Sequence, residues 1–146
     1  MTPQDAIKTF PEIHENSSGE YVKFLQAMLC SYSDQMRLSI KDSGKIDGDY
    51  GSGTKATVKM FQHDVNILLG YEKLEEDGIC GRNTWNALAD RTSRSSKPGS
   101  VGYCYQMNDP YAFSVSSVSV TTSTEWYYYD WFDSAVPFKS LGHLYK

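Results

Sequence analysis

The chain has 146 residues, a formal charge of −4 and a sequence pI near 5.3, which suits one domain or one small domain with an appendage. No basic stripe exists to neutralise phosphates, so nucleic acid and anionic membrane surfaces are excluded as main partners. The start, Met1-Thr2-Pro3-Gln4-Asp5-Ala6, lacks a basic segment and an apolar run, and no stretch is long enough to span a bilayer. The expectation is a cytoplasmic or virion protein, or one that reaches the cell wall or the extracellular space by lysis or dedicated export.

Thr2 and Pro3 read as an N-cap and first helical position, opening a short helix through Phe10. Pro11 to Gly19 reads as a connecting loop. A second helix, from Gly19 or Glu20, sets Tyr21, Leu25, Met28, Leu29 and Tyr32 on one face. Cys30 beside Leu29 reads as a buried free thiol. The polar run Ser33 to Lys45 is predicted to be a surface loop. Thr54, Val58, Phe61, Val65 and Leu68 then form one apolar stripe, and Gly70 is placed to end that helix. A shorter helix carries Trp85 and Leu88 to the same core. The core is expected to run from Thr2 to about Asp90.

Ser93 to Ser100 has linker composition. Beyond it the chemistry changes: twelve of the twenty aromatic residues lie in the last 46 positions, so that segment is apolar enough to need a partner surface. Phe113, Val115, Val118 and Val120 alternate with Ser and Thr as in a strand, with a phase slip at Ser116-Ser117 that reads as a bulge. Trp126, Tyr127, Tyr128, Tyr129, Trp131 and Phe132 follow. Residues 1–92, 93–100 and 101–146 are therefore read as helical domain, linker and β-prone aromatic extension. The extension is expected to be ordered only through contacts outside itself, which leaves a homo-oligomer or assembly partner open.

The informative feature is a repeat. Asp47-Gly48-Asp49-Tyr50-Gly51-Ser52-Gly53-Thr54 returns thirty positions later as Asp77-Gly78-Ile79-Cys80-Gly81-Arg82-Asn83-Thr84. In D-G-x-x-G-x-x-T the first Gly supplies a tight turn and the second a conformation or close approach that a Cβ would block. The Thr then falls in the first helical turn, where its hydroxyl can reach an unpaired backbone group.

These elements resemble a peptidoglycan-binding domain of the three-helix type found in cell-wall hydrolases. The family pattern starts with Pro, an apolar residue, a Gly-Ser-x-Gly turn and Val-x-x-Leu-Gln. This chain has Pro11, Ile13, Asn16-Ser17-Ser18-Gly19, Val22, Leu25 and Gln26. The two turns follow, with Val58-Lys59-Met60-Phe61-Gln62 between them and Trp85 and Leu88 after the second. Asn16 replaces a glycine, which the left-handed conformation tolerates. The loops Ser33–Lys45 and Leu69–Glu76 exceed the family's usual length. The resemblance covers residues 1 to about 92. It implies a mainly α fold that binds peptidoglycan non-catalytically in a groove beside the two turns, with Asp47, Tyr50, Thr54, Asp77, Thr84 and Trp85 as candidate contacts. Tyr50 would stack on a sugar face or stem side chain. Asp47 and Asp77 also read as turn formers, Trp85 as core, and Gln26 and Gln62 as residues that cap or bridge turns.

An enzyme is not expected. A glycosidase needs two carboxylates facing across a cleft, whereas those here lie in turns or in acidic runs such as Glu72, Glu75, Glu76 and Asp77, which read as solvated surface. Cys104 with His143 is the one thiol arrangement to name, and the extension is too short for a hydrolase fold. Three cysteines make no disulfide framework, and Cys30, Cys80 and Cys104 with the scattered His14, His63 and His143 fit no zinc pattern, so neither metal nor cofactor is expected. The alternatives are a structural component of a phage or secretion assembly that keeps the fold as scaffold, and a fragment of a cell-wall hydrolase.

Overall fold

A computed structural model of the chain describes residues 7–70, 73–92, 100–101, 104–106, 126–130, 132–136 and 138–142. The opening helix expected from Thr2 lies largely outside these residues, as do the linker 93–99, the strand expected over Phe113 to Thr124, Trp131 and His143. The fold is mainly α. Its described helices are α1 (Glu20–Tyr32), α2 (Asp34–Asp42), α3 (Ser52–Leu69) and α4 (Arg82–Thr92).

Helix α1 is the axis of the molecule. Its run Glu20–Tyr32 holds neither Gly nor Pro, and Val22 together with Phe24 to Cys30 is buried, so the helix is covered on most sides. Burial pushes the Cys30 thiol up to about 12, the inert free thiol that its apolar setting implies. Ser33 is extended and breaks the helix, then caps the next one by accepting the Met36 N–H at 3.1 Å.

Helix α2 corrects the reading of Ser33–Lys45 as a loop. Met36 and Ile40, one helical turn apart, are both buried, and the Asp34–Arg37 pair spans the opposite side at 2.8 Å. A polar composition hid a two-residue apolar face that becomes visible only once the Ser33 cap is recognised.

Helix α3 keeps Thr54, Val58, Phe61 and Val65 inside, and Gly70 ends it in the left-handed conformation with its N–H on Asn66 and Ile67 carbonyls. Leu68 departs from the expected stripe at 66 % exposure. In the last turn the covered side has drifted to Asn66 and Leu69, as 3.6 residues per turn requires. Trp85 and Leu88 of α4 complete this core, both buried.

The extension forms a four-stranded antiparallel sheet, β1 (Ser100–Val101), β2 (Cys104–Gln106), β3 (Trp126–Tyr129) and β4 (Phe138–Gly142), in chain order. Tyr127 pairs with Ser140 and Tyr128 with Lys139, with a register irregularity between Trp126 and Tyr127. Alternation turns Trp126 and Tyr128 inward. The Trp126 ring meets Phe24 at 5.1 Å and Phe10 at 6.1 Å, so the sheet finds its partner surface on the chain's own helical core. At the β3–β4 connection Lys139 reaches Asp130 at 2.7 Å and Asp133 at 3.0 Å. The hydrogen bond to Asp130 raises the lysine above its ordinary range.

Because Phe61 and Trp126 sit in one continuous core, Phe61→Ala and Trp126→Ala should each cost about 3–5 kcal/mol. Both losses should appear in the helical transition of a denaturant melt followed by far-ultraviolet circular dichroism. A Trp126→Ala melt identical to the parent's would show that the sheet is uncoupled from the helices.

Candidate binding site at the second repeated turn

The two copies of D-G-x-x-G-x-x-T are held by one apparatus used twice. In each, a helical glutamine inserts its buried carboxamide into the turn. Gln26 of α1 donates from Nε2 to Asp47 Oδ1 (3.0 Å), the Asp49 carbonyl (3.2 Å) and Thr54 Oγ1 (3.1 Å), while its Oε1 accepts the Gly48 N–H (3.0 Å). Gln62 of α3 repeats the set on Asp77 Oδ1 (3.3 Å), the Ile79 carbonyl (3.0 Å), Thr84 Oγ1 (3.1 Å) and the Gly78 N–H (3.0 Å). Each Asp also accepts the N–H two residues on, closing an Asx turn at 3.0 Å.

The equivalence extends into the helices. Gly48 is at φ +78° with the Gly19 carbonyl and the Lys23 stem against it, and Gly78 is at φ +74° with the Lys55 carbonyl and the Lys59 stem against it. Any Cβ there meets backbone or side chain at 3.3 Å or less, so glycine is required twice over. In the first copy the second glycine of the motif does not act as the sequence suggests, whereas at Gly81 a Cβ would lie 3.3 Å from Glu12 Oε1. Gly51 is extended and a Cβ on it would meet nothing within 4 Å. Nor do the threonine hydroxyls serve backbone groups: both accept from the glutamine amide.

The turns lie side by side because one strap and one phenol join them. Along residues 13–18, Ile13 exchanges backbone hydrogen bonds with Cys80, and Asn16 and Ser17 do so with Tyr50. Asn16 takes φ +79°, the left-handed position expected of it. The Tyr50 hydroxyl donates to the Gly78 carbonyl across the two copies. With the ring 1 % exposed, burial raises the phenol far above its ordinary value, and no ring face is open for the stacking expected of Tyr50.

The copies differ on their outer side. Gln26 and Asp47 are 21 residues apart whereas Gln62 and Asp77 are 15 apart, so the first unit is six residues longer (21 − 15 = 6). The longer unit accommodates α2, and the turn leaving that helix packs on the first copy: a Cβ on Gly53 would lie 2.2 Å from Ser43 Cβ. The equivalent of Gly53 in the second copy is Asn83, which is exposed beside an open pocket of about 500 Å³. Glu12, Lys73, Glu75, Asp77, Arg82 and Asn83 line it, with Leu74 and Ile79 as its apolar members.

One wall of this pocket is pinned by Asn66. Its Oδ1 accepts the N–H groups of Lys73 and Leu74, both at 2.9 Å, and its Nδ2 donates to the Leu74 carbonyl (2.9 Å) and Glu76 Oε2 (3.0 Å). His63 Nδ1 lies 2.9 Å from the other oxygen of Glu76. The hydrogen bonds from Asn66 and then His63 hold the Glu76 carboxyl below its ordinary value.

The six residues expected to contact ligand therefore divide. Asp77 and Thr84 line the pocket, Thr84 from a buried position. Asp47 is exposed at the first copy and Thr54 is buried there, both engaged by Gln26. Trp85 is fully buried and donates from Nε1 to the Pro11 carbonyl at 2.9 Å. Sequence reading missed Glu12, Lys73, Glu75 and Arg82. The signal was available in the repeat itself, where Ser52 and Gly53 of one copy become Arg82 and Asn83 of the other. Among the described residues no three His, Cys, Asp or Glu side chains gather to hold a metal ion.

Residues 18–88 match the family model described as "Putative peptidoglycan binding domain". No curated protein matches the chain.

Two outcomes follow from this geometry. Gln26→Ala and Gln62→Ala should each destabilise by about 2 kcal/mol or more, since each leaves a buried Gly N–H and a Thr hydroxyl without their partner. A urea melt within about 0.5 kcal/mol of the parent would refute the shared apparatus. Glu76 has a lowered folded-state pKa, so its contribution is complete above the ordinary value of 4.5 and lost as pH falls through the lowered one. Urea melts at descending pH should show the parent losing that increment below about 4.5, and Glu76→Gln should lack it.

Proposed function

We propose, from the match of residues 18–88 to the putative peptidoglycan-binding domain, that the chain holds the wall polymer without cleaving it, at the pocket beside the second turn. The observation that carries this reading is the asymmetry of the duplication. The same rigid turn occurs twice; at the second copy charged side chains border an open pocket, while at the first Ser43 packs against the position equivalent to Asn83. Asp77 and Thr84 are the contacts retained there from the six candidates. Asp47, Tyr50, Thr54 and Trp85 act in support: the first three fix the neighbouring turn, and Trp85 fixes the Pro11 carbonyl next to Glu12.

Non-catalytic binding fits the carboxylates present. Asp77 is committed through Oδ1 to Gln62 and to its own turn, and Glu76 to Asn66 and His63. Carboxylates fixed this way are suited to position a ligand. The division of labour we propose has the helical domain carrying the ligand and the described strands β3 and β4 completing its core. Trp126, Tyr128 and Leu141 are spent on the chain's own helices, which favours this over an assembly role for β3 and β4.

The test is retention of the intact chain on purified sacculi in a sedimentation assay, with release of reducing ends and free amines followed in the same tubes. Retention without release is expected. Arg82→Glu should lower retention about tenfold or more, whereas Ser52→Glu, at the same position of the first copy, should leave it unchanged. Equal loss in both variants would mean that the second copy has no special part, and released product would overturn the non-catalytic reading.

A further inference from the structure

We propose that the pocket takes the peptide of the wall polymer and not its sugar strand, gripping a diamino-acid residue through a free ammonium and a free carboxylate. This rests on the binding reading above and narrows it to one ligand chemistry.

The first observation is a set of unspent charges. Glu12, Lys73, Glu75, Asp77 and Arg82 line one pocket, yet none of the ion pairs among the described residues involves any of them. The same surface pairs its charges elsewhere, as Lys23 does with Glu20, Lys55 with Glu15 and His63 with Glu76. Opposite charges that share a pocket without joining each other are available to a ligand that carries both signs. Charge-assisted hydrogen bonds to such groups are about twice as strong as neutral ones.

The second observation is the balance and placement of those charges. Three carboxylates against two cations leave the lining at −1 (2 − 3), so the ligand needs an ammonium and tolerates one carboxylate. Asp77 is the preorganised acceptor. Its Oδ1 is fixed by Gln62 and the Ile79 N–H at 3.3 and 3.0 Å, which orients Oδ2 at no further cost in side-chain freedom. Arg82 and Asn83 stand in the first turn of α4, where a ligand carboxylate would also meet main-chain N–H groups. Glu12 reaches over the same turn, its Oε1 lying 3.3 Å from where a Gly81 Cβ would be, so the glycine keeps that carboxylate in place.

The third observation concerns sugars. A sugar face stacks well on an exposed aromatic ring. Among the described residues no aromatic side chain lines this pocket, and the nearby Tyr50 and Trp85 rings are both buried.

Calorimetric titration of the intact chain tests this with four soluble probes. They are the tripeptide L-alanyl-γ-D-glutamyl-L-lysine, its Nε-acetyl derivative, its C-terminal amide, and tetra-N-acetylchitotetraose. The free tripeptide should bind and should displace the protein from sacculi. Acetylation or amidation should each weaken it about tenfold, the loss of one charge-assisted hydrogen bond. Arg82→Gln should abolish the penalty for amidation and Glu75→Gln should reduce the penalty for acetylation, both in variants whose melts match the parent's. Displacement by the chitotetraose and not by the tripeptide would overturn the peptide assignment while leaving wall binding intact. Equal binding of free and capped peptides would overturn the charge-based grip. A chain that neither stays on sacculi nor binds any probe would sink this inference and the reading beneath it together.

Discussion

A glutamine carboxamide can close a turn from both directions. Its oxygen takes an N–H that the tight D-G turn strands inside the protein, and its NH₂ shares two hydrogens among a carbonyl, a carboxylate and a hydroxyl oxygen of the same turn. Glutamate would offer no donor, and an aliphatic residue would leave the buried glycine N–H and the threonine hydroxyl without this partner. Placing such an amide on a helix therefore fixes three things together: the conformation of the turn, the start of the next helix, and the rotation of the helix that carries the glutamine. The chain does this at Gln26 and again at Gln62. The Tyr50 hydroxyl on the Gly78 carbonyl ties the two results into one body.

The two copies diverge where the chain could afford change. The first unit is six residues longer between glutamine and turn and accommodates α2 there, and the exit from α2 rests on the first turn through Ser43. That contact requires Gly53, because any larger residue would collide with it. At the second copy nothing presses on the equivalent position, and Asn83 can be exposed. The glycine in one copy and the asparagine in the other thus record the same geometric fact from opposite sides: Ser43 packs on this position in the first turn, and Asn83 is exposed at it in the second.

The repeat, the α1, α3 and α4 helices and the core aromatics were legible in the sequence because each is a local pattern. D-G predicts a left-handed glycine, four-three spacing predicts a buried stripe, and Gly70 predicts an end. Helix α2 was not legible, since its apolar side is only Met36 and Ile40 within a polar run. The groove was legible in its neighbourhood and not in its membership. Motif residues such as Tyr50 and Thr54 draw attention because the turn needs them, and a residue the turn consumes internally has little left for a ligand. The pocket's charged lining comes from Glu12, Lys73, Glu75 and Arg82, which no periodicity marks and which only the tertiary fold gathers.

The aromatic extension, read alone, offers no link to that pocket, but packing supplies one. Trp126 of β3 lies against Phe10 and Phe24, and Phe10 meets Trp85 edge to face at 5.4 Å. Trp85 in turn donates its indole N–H to the Pro11 carbonyl. Residues 10 and 11 are thereby held from two sides, by ring packing and by a hydrogen bond, immediately before Glu12 enters the pocket wall. A carboxylate on such a braced backbone loses less freedom on meeting a cation than one on a free loop. Asn66 does the same for the opposite wall through Lys73 and Leu74. The charged groups themselves remain solvated and unpaired while the backbone beneath them is fixed by buried aromatics and amides, an arrangement that separates the stability of the fold from the chemistry of the site. Substitutions at the pocket's charged tips can then alter recognition with little effect on folding, whereas substitutions at Trp126, Trp85, Gln62 or Asn66 reach the site only by loosening what carries it.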